Sequence, residues 1–453
     1  MSAFPNGFVW GAASAAYQIE GAAAEGGRTP TIWDTFSHTP GKTFAGHTGD
    51  VACDAYHRWE EDIELLAQAG VRNYRFGVGW TRIFPTAEEK PNGEALAYYD
   101  AVVNGCLARG IEPWITLYHW DLPQYLEERG GWRSRETALA FGRFSSLLAE
   151  HFKGRVKCYF TVNEPACIAG LGYGSGTHAP GLCLPNTEVF GCVCNILLAH
   201  GFAAEAVRAA DPAAKVGIVT TGRLCWPGTD AKADVDAAEK ATFAPLQGEG
   251  WTFTHHLYLD PVVKGQWPEF ADAALAAAAA AVPPEDMEQM HQVPDYIGLN
   301  IYHGTQAQAD GSPQGWRDVP EKPGCARTAM KWPVTPEVLE YGPLAIQHRY
   351  GLPILVTENG QSGNDRVYLD GKVHDADRVD FLHSYLLALK RGIARGSGVQ
   401  GYFHWSLTDN YEWASGYDER FGLIYIDYAT QKRIPKDSLE WYGNTARENG
   451  ACL

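Results

Sequence analysis

Apolar, β-branched runs alternate along the chain with stretches of helical periodicity, and this alternation sets the architecture before any motif is considered. Strand-like runs occupy residues 8–17, 73–80, 112–120, 157–164, 215–221, 296–302, 353–358 and 399–407. Residues 54–69, 95–109 and 137–152 carry apolar positions at helical spacing and end before Gly70, Gly110 and Gly154. Strand then helix, repeated eight times, predicts an α/β fold: a single (β/α)8 TIM barrel over residues 1–453, with its active site at the C-terminal ends of the strands. No Pro/Ser-rich linker divides the chain, so one catalytic domain is expected. The alanine-rich residues 271–282 read as a helix stopped by Pro283-Pro284. The glycines of residues 170–176 do not fit a dinucleotide-binding spacing and read as a mobile loop beside the site.

Two of the predicted strands end in a glutamate. Thr161-Val-Asn-Glu164-Pro165 closes one run and Val356-Thr-Glu358-Asn-Gly360 another. In a parallel barrel all strand C-termini share one rim, and two carboxyls there can flank a glycosidic bond as acid and nucleophile. The other strand ends supply Gln18, Arg75, His119, Asn163, Asn300, Tyr302 and Trp405, followed by Glu412 and Trp413 on the last loop. Gln18, His119, Asn163 and Glu412 offer the donors and acceptors that a hydroxyl-rich ligand needs, and an indole of Trp405 or Trp413 can pack on a pyranose face.

Composition narrows the partners. A formal net charge of −17 argues against nucleic acid or an anionic membrane and favours a neutral substrate. The first residues lack a basic region followed by a long apolar stretch, and no run reads as a bilayer span, so a soluble, cytoplasmic protein is expected, with no membrane partner. The 10 cysteines include no CxxC pair, and Cys192 and Cys194 point in different directions on a helix; most read as reduced, buried small hydrophobes, and no metal site is expected.

These segments resemble family 1 of the glycoside hydrolases, the β-glucosidase and β-galactosidase family, over nearly the whole chain. The resemblance is carried by Phe8-Val-Trp-Gly-Ala-Ala with Tyr17-Gln18-Ile-Glu-Gly21, by Tyr74-Arg75-Phe76 with Trp80-Thr-Arg-Ile-Phe-Pro85, and by Leu117-Tyr-His119-Trp-Asp-Leu-Pro123. It continues through both glutamate segments, Gly298-Leu-Asn300-Ile-Tyr302, His404-Trp405-Ser-Leu-Thr-Asp-Asn-Tyr-Glu412-Trp413 and Glu419-Arg-Phe421-Gly-Leu423. It implies a retaining β-glycosidase with Glu358 as nucleophile and Glu164 as acid/base, acting on a β-linked disaccharide, short oligosaccharide or aryl β-glycoside without a cofactor. Gln18, His119, Asn163, Glu412 and Trp413 would hold the nonreducing-end sugar, with Trp405 and Phe421 shaping that subsite. Arg75, Asn300 and Tyr302 would support an ionised Glu358, and Trp332 would carry the leaving group.

Two departures bear on the leaving-group side. Ala166 stands where the family commonly has tryptophan, which predicts a wider mouth, and Gln361-Ser-Gly-Asn replaces a small apolar segment after Gly360. The competing readings are a 6-phospho-β-glycosidase, which the carboxylate of Glu412 opposes, and an inactive carbohydrate-binding protein on the same scaffold.

Overall fold

A computed structural model describes residues 3–453. Its strands β1 (Val9–Ala13), β2 (Asn73–Gly77), β3 (Glu112–Tyr118), β4 (Cys158–Asn163), β5 (Lys215–Thr220), β6 (Tyr296–Asn300), β7 (Ile354–Asn359) and β8 (Val399–Trp405) form a closed parallel barrel. Each strand pairs with the next in sequence, and β8 returns to β1. All eight fall within or against the apolar runs that predicted them. The first run is shorter than expected because the chain turns into a helical turn, Ala16–Ile19, so Gln18 rides on that turn and not on a strand end. Arg75 is likewise mid-strand, the third residue of β2.

Strand alternation separates two apolar layers. Tyr74 and Phe76 face outward with the helices, while Trp114, Phe160, Tyr296 and Phe403 meet inside the barrel, Trp114 to Phe403 at 5.3 Å and Phe160 to Tyr296 at 5.2 Å between ring centroids. This aromatic floor carries the Arg75 guanidinium 5.2 Å over the Phe160 ring.

The outer helices follow local rules. Asn92 and Ser134 cap the helices Gly93–Ala108 and Arg135–His151 by accepting backbone N–H groups, and Gly70, at φ 85°, ends Ala55–Ala69 in the left-handed conformation that glycine adopts without strain. The helix Asn186–Ala210 is long and apolar enough by composition to cross a membrane, but here it packs on Arg135–His151 and buries Val193, Ile196 and Leu197. The alanine-rich stretch is helical over Ala273–Ala280, and Pro284 opens a further helix, Pro284–Met290, at a position where its missing N–H is harmless. Residues 170–176 are not the loop predicted: Cys167–Gly174 form a π-helical segment with Gly172 and Tyr173 buried, Tyr173 accepting from Trp132 N at 3.2 Å. Beyond the ends of β5 and β6, three short strands, Cys225–Pro227, Thr305–Ala309 and Trp316–Asp318, form a small sheet beside the barrel mouth.

Candidate active site

Both glutamates follow a break in strand register. Phe160 pairs with Gly217 but Asn163 with Val219, and Val356 pairs with Leu299 but Glu358 with Asn300, so each strand carries one extra residue just before the rim. Such bulges re-aim side chains. Here Asn163 and Glu164 both turn to the site, and Glu164 takes φ 49°, a left-handed conformation shared at the rim by Trp120 (φ 76°) and Trp413 (φ 50°). Non-glycine residues hold that conformation only where the surroundings enforce it.

Arg75 is fully buried and organises the floor. Its Nη1 donates to Glu358 Oε1 at 2.7 Å, its Nη2 to Asn163 Oδ1 at 2.6 Å and its Nε to Thr116 Oγ1 at 2.9 Å. Tyr302 donates its hydroxyl to Glu358 Oε2 at 2.8 Å, so both oxygens of that carboxyl are held. Asn300 Nδ2 donates to Glu164 Oε1 at 2.8 Å, and the Cys167 thiol donates to Glu164 Oε2 at 3.2 Å. No cation touches Glu164 among the described residues.

Electrostatics follow from these contacts. Burial first, then the neighbouring Glu358 charge, push Glu164 up to about 8, with Asn300 and Cys167 acting weakly against them. Burial raises Glu358 as well, opposed by the Arg75 charge and hydrogen bond and by Tyr302 and Asn300. The support expected from Arg75 and Tyr302 is present, but it works against a desolvation cost. Glu412, half-buried on the last loop, rises to about 8 through burial and the Glu358 charge.

One end of the site is built from polar groups left available. Asn163 Oδ1 is taken by Arg75 and Asn300, which turns Nδ2 toward His119 Nε2 at 3.0 Å. Burial and the Arg75 charge hold His119 neutral, and its Nδ1 has no protein partner. Gln18 Nε2 reaches Asn410 Oδ1 and Tyr411 O at 3.0 Å and Glu412 Oε2 at 3.2 Å, leaving Oε1 without a partner. The His119 ring is 5.7 Å from the Trp405 ring and 6.0 Å from that of Trp413. Across the cavity, Trp332 stands 5.1 Å from Tyr302 and 6.1 Å from Phe421.

These groups border one cavity of about 850 Å3. His119, Glu164, Asn300, Tyr302, Trp332 and Glu358 lie on its wall, as do Trp405, Glu412, Trp413 and Phe421; Gln18, Arg75 and Asn163 are fully buried against wall residues and do not line it. Wall residues to which the sequence assigns no role include Trp120, whose Nε1 donates to Asn163 O at 2.9 Å, His178 and Cys167. Cys167 was legible, because the chain turns helical after Glu164 and positions three apart share a face. The same geometry corrects the reading of Ala166, which is fully enclosed and absent from the wall; its small size does not widen the mouth, and a tryptophan there would overpack. The unusual segment after Gly360 acts as a tie: Ser362 Oγ and O accept Met330 N at 2.9 Å and Ala329 N at 3.1 Å, and Gly363 N donates to Arg420 O at 2.9 Å. It thereby links the loops that present Trp332 and Phe421.

A (β/α)8 barrel with two buried glutamates at the rim ends of β4 and β7, set beside a polar pocket walled by indoles, defines a glycoside hydrolase. The chain belongs to glycosyl hydrolase family 1, whose profile matches residues 1–451. It is similar to a bifunctional β-D-glucosidase/β-D-fucosidase of Bifidobacterium breve, at 42% identity over 99% of both chains. It is also similar to β-glucosidase A of Thermotoga maritima, at 39% identity over 99% of this chain and 98% of that one. The solved structure of a family 1 β-glucosidase from Thermotoga maritima superimposes with a TM-score of 0.88 over 99% of each chain at 39% identity, and a structure in complex with deoxynojirimycin matches equally well, with a TM-score of 0.88.

Proposed function

We propose that this enzyme is a retaining exo-β-glucosidase in which Glu358 is the nucleophile and Glu164 the acid/base. The observation that carries the assignment is the asymmetry of the pair. Glu358 has a guanidinium and a phenol on its two oxygens, which favour its anion, whereas Glu164 meets an amide and a thiol and sits next to a negative charge. One proton shared by the pair therefore rests on Glu164, where the leaving oxygen needs it.

Glu358 attacks the anomeric carbon while Glu164 protonates the departing oxygen, and a water deprotonated by the Glu164 carboxylate then releases the sugar with net retention. His119 and Glu412 meet the glucosyl hydroxyls from the wall, with Gln18 and Asn163 buried directly behind them to complete the hydrogen-bonding set, Trp405, Trp413 and Phe421 shape the subsite, and Trp332 supports the leaving group. Neutral β-glucosides, disaccharide or aryl, suit a wall of carboxylates; the curated relatives named as β-glucosidases, one also as a β-fucosidase, support that choice. The ten cysteines are all unbonded, which supports a reducing, cytoplasmic setting. Release of nitrophenol from 4-nitrophenyl β-D-glucoside, followed by NMR of the first sugar formed, tests the reading. β-Glucose must appear before its α-anomer; α-glucose first would overturn the double displacement.

A further inference from the structure

Thr357 is the residue at which the register of β7 breaks. Val356 pairs with Leu299 and Glu358 with Asn300, so the residue between them has no opposite number on β6. Its side chain is fully buried and does not border the cavity. Gly298 makes the space for it, because a Cβ at that position would fall 3.0 Å from Thr357 Cγ2 and 3.1 Å from its Oγ1. The hydroxyl donates to Asn300 Oδ1 at 2.7 Å, and the Thr357 carbonyl accepts from Arg75 Nη1 at 3.2 Å.

That hydroxyl closes a chain of hydrogen bonds whose sense is set at Arg75. A guanidinium only donates, so the Asn163 atom 2.6 Å from Arg75 Nη2 is the amide oxygen. The same oxygen accepts Asn300 Nδ2 at 3.2 Å, and Nδ2 also donates to Glu164 Oε1 at 2.8 Å. The nitrogen of Asn300 is thus committed on one side and its oxygen on the other, and among the described residues Thr357 supplies the one donor to that oxygen. Turned round, the amide would set oxygen against oxygen at Asn163 and withdraw its N–H from Glu164.

We propose that Thr357 is a positioning residue for the acid/base: its hydroxyl holds the Asn300 amide with Nδ2 on Glu164, and so fixes the carboxyl that delivers a proton to the leaving oxygen. The inference rests on the reading of Glu164 as acid/base and adds to its support a residue from the nucleophile's own strand. Without the hydroxyl, Asn300 Oδ1 is buried with no donor and the amide is free to turn. The effect falls on Glu164 because of what each carboxyl keeps. Glu358 still has Arg75 and Tyr302 on its two oxygens, whereas Glu164 loses the amide from Oε1 and retains the Cys167 thiol on Oε2.

The experiment measures kcat/KM for cellobiose, whose departing sugar hydroxyl needs a proton, and for 2,4-dinitrophenyl β-D-glucoside, whose leaving group does not. Both are assayed on the wild type, Thr357→Val, Thr357→Ser, Asn300→Ala and the Asn300→Ala/Thr357→Val double variant. Valine keeps the shape without the donor, and serine keeps the donor. The ratio between the two substrates is taken on one sample, so it does not depend on the fraction folded. Thr357→Val should lower the ratio of cellobiose to dinitrophenyl glucoside by about tenfold and move the basic limb of the cellobiose profile to higher pH, since a donor to Glu164 is lost. Thr357→Ser should restore both. In the Asn300→Ala background the valine substitution should change the ratio no further. An equal loss on both substrates with an unmoved basic limb would show that Thr357 only packs β7 against β6. A further fall in the Asn300→Ala background would show that it acts by another route. Either result overturns the proposal and leaves the glucosidase reading intact. A wild-type enzyme that hydrolyses neither substrate would overturn the glucosidase reading itself, and the proposal with it.

Discussion

The thiol of Cys167 lies 3.2 Å from Glu164 Oε2, on the oxygen that Asn300 leaves free. A donor at that point favours the Glu164 anion and so lowers the pH at which the acid form is lost. Cys167→Ala removes the donor, and the basic limb of the kcat/KM profile should move to higher pH. The loss in kcat/KM should stay within about tenfold, the worth of one weak hydrogen bond. A limb that moves to lower pH would show that the thiol does not donate to this carboxyl.

Chemical rescue separates the two glutamates. Glu358→Gly should abolish turnover of every substrate, and Glu164→Ala should spare glycosylation by glycosides with very acidic leaving groups. With azide added, the Glu358 variant should give α-glycosyl azide and the Glu164 variant β-glycosyl azide. The opposite pattern, read by NMR of the products, would exchange the roles.

Arg75 bonds Glu358 Oε1 at 2.7 Å and is itself fully buried, so its removal acts on both protonation and geometry. Arg75→Met should raise the Glu358 pKa, moving the acidic limb of kcat/KM to higher pH, and should lower kcat/KM by on the order of 10²–10³-fold. A reduced rate with an unmoved acidic limb would mean that Arg75 only orders the floor.

How much of this site could be read from the residues depended on the kind of contact. The eight strands were visible because strands buried on both faces appear as apolar, β-branched runs, and Glu164 and Glu358 were visible because each terminates one. The register breaks before them were not, since a bulge is defined by the partner strand and not by the bulged one. Gln18 lies not on the strand end expected but on the helical turn Ala16–Ile19, which is too short to show a period. Ala166 is nearer to Glu164 in sequence but is enclosed, whereas helical spacing sets Cys167, three residues on, against the carboxyl, and adjacency along the chain does not show which of the two faces it. The place of Trp316 on the cavity wall depends on Trp316–Asp318 pairing with Thr305–Ala309, a contact that no local pattern near either glutamate announces.

Substrate charge gives a further test. The cavity wall carries Glu164, Glu358 and Glu412, and among the described residues its one guanidinium, Arg223, is paired with Asp318 at the outer end. A 6-phosphate on the glucosyl unit would meet carboxyls and no free cation. The specificity constant for 4-nitrophenyl β-D-glucoside should exceed that for its 6-phosphate by at least about 100-fold. Preference for the phosphorylated substrate would favour the phospho-glycosidase alternative.

The carboxyls that make the site work should also weaken the fold, in a way that pH exposes. Glu164 and Glu412 each rise from 4.5 to about 8 in the folded protein, so between those values the unfolded chain has released protons that the folded one retains. Stability then falls as pH rises through this window, because the native state binds more protons than the unfolded state; below it both states are protonated and the carboxyls cost nothing extra. Glu164→Gln and Glu412→Gln remove the ionisable group and keep the shape. Each should therefore match wild type in thermal midpoint near pH 4 and gain on it progressively toward pH 8, by on the order of 2 kcal/mol after allowance for relaxation and water entry. Glu358→Gln is the contrast, since it leaves the buried Arg75 without its carboxylate and should gain less or lose stability. Midpoints measured across this pH range decide the matter: a gain for the Glu164 and Glu412 variants that is constant with pH would show improved packing, not relief of a buried charge.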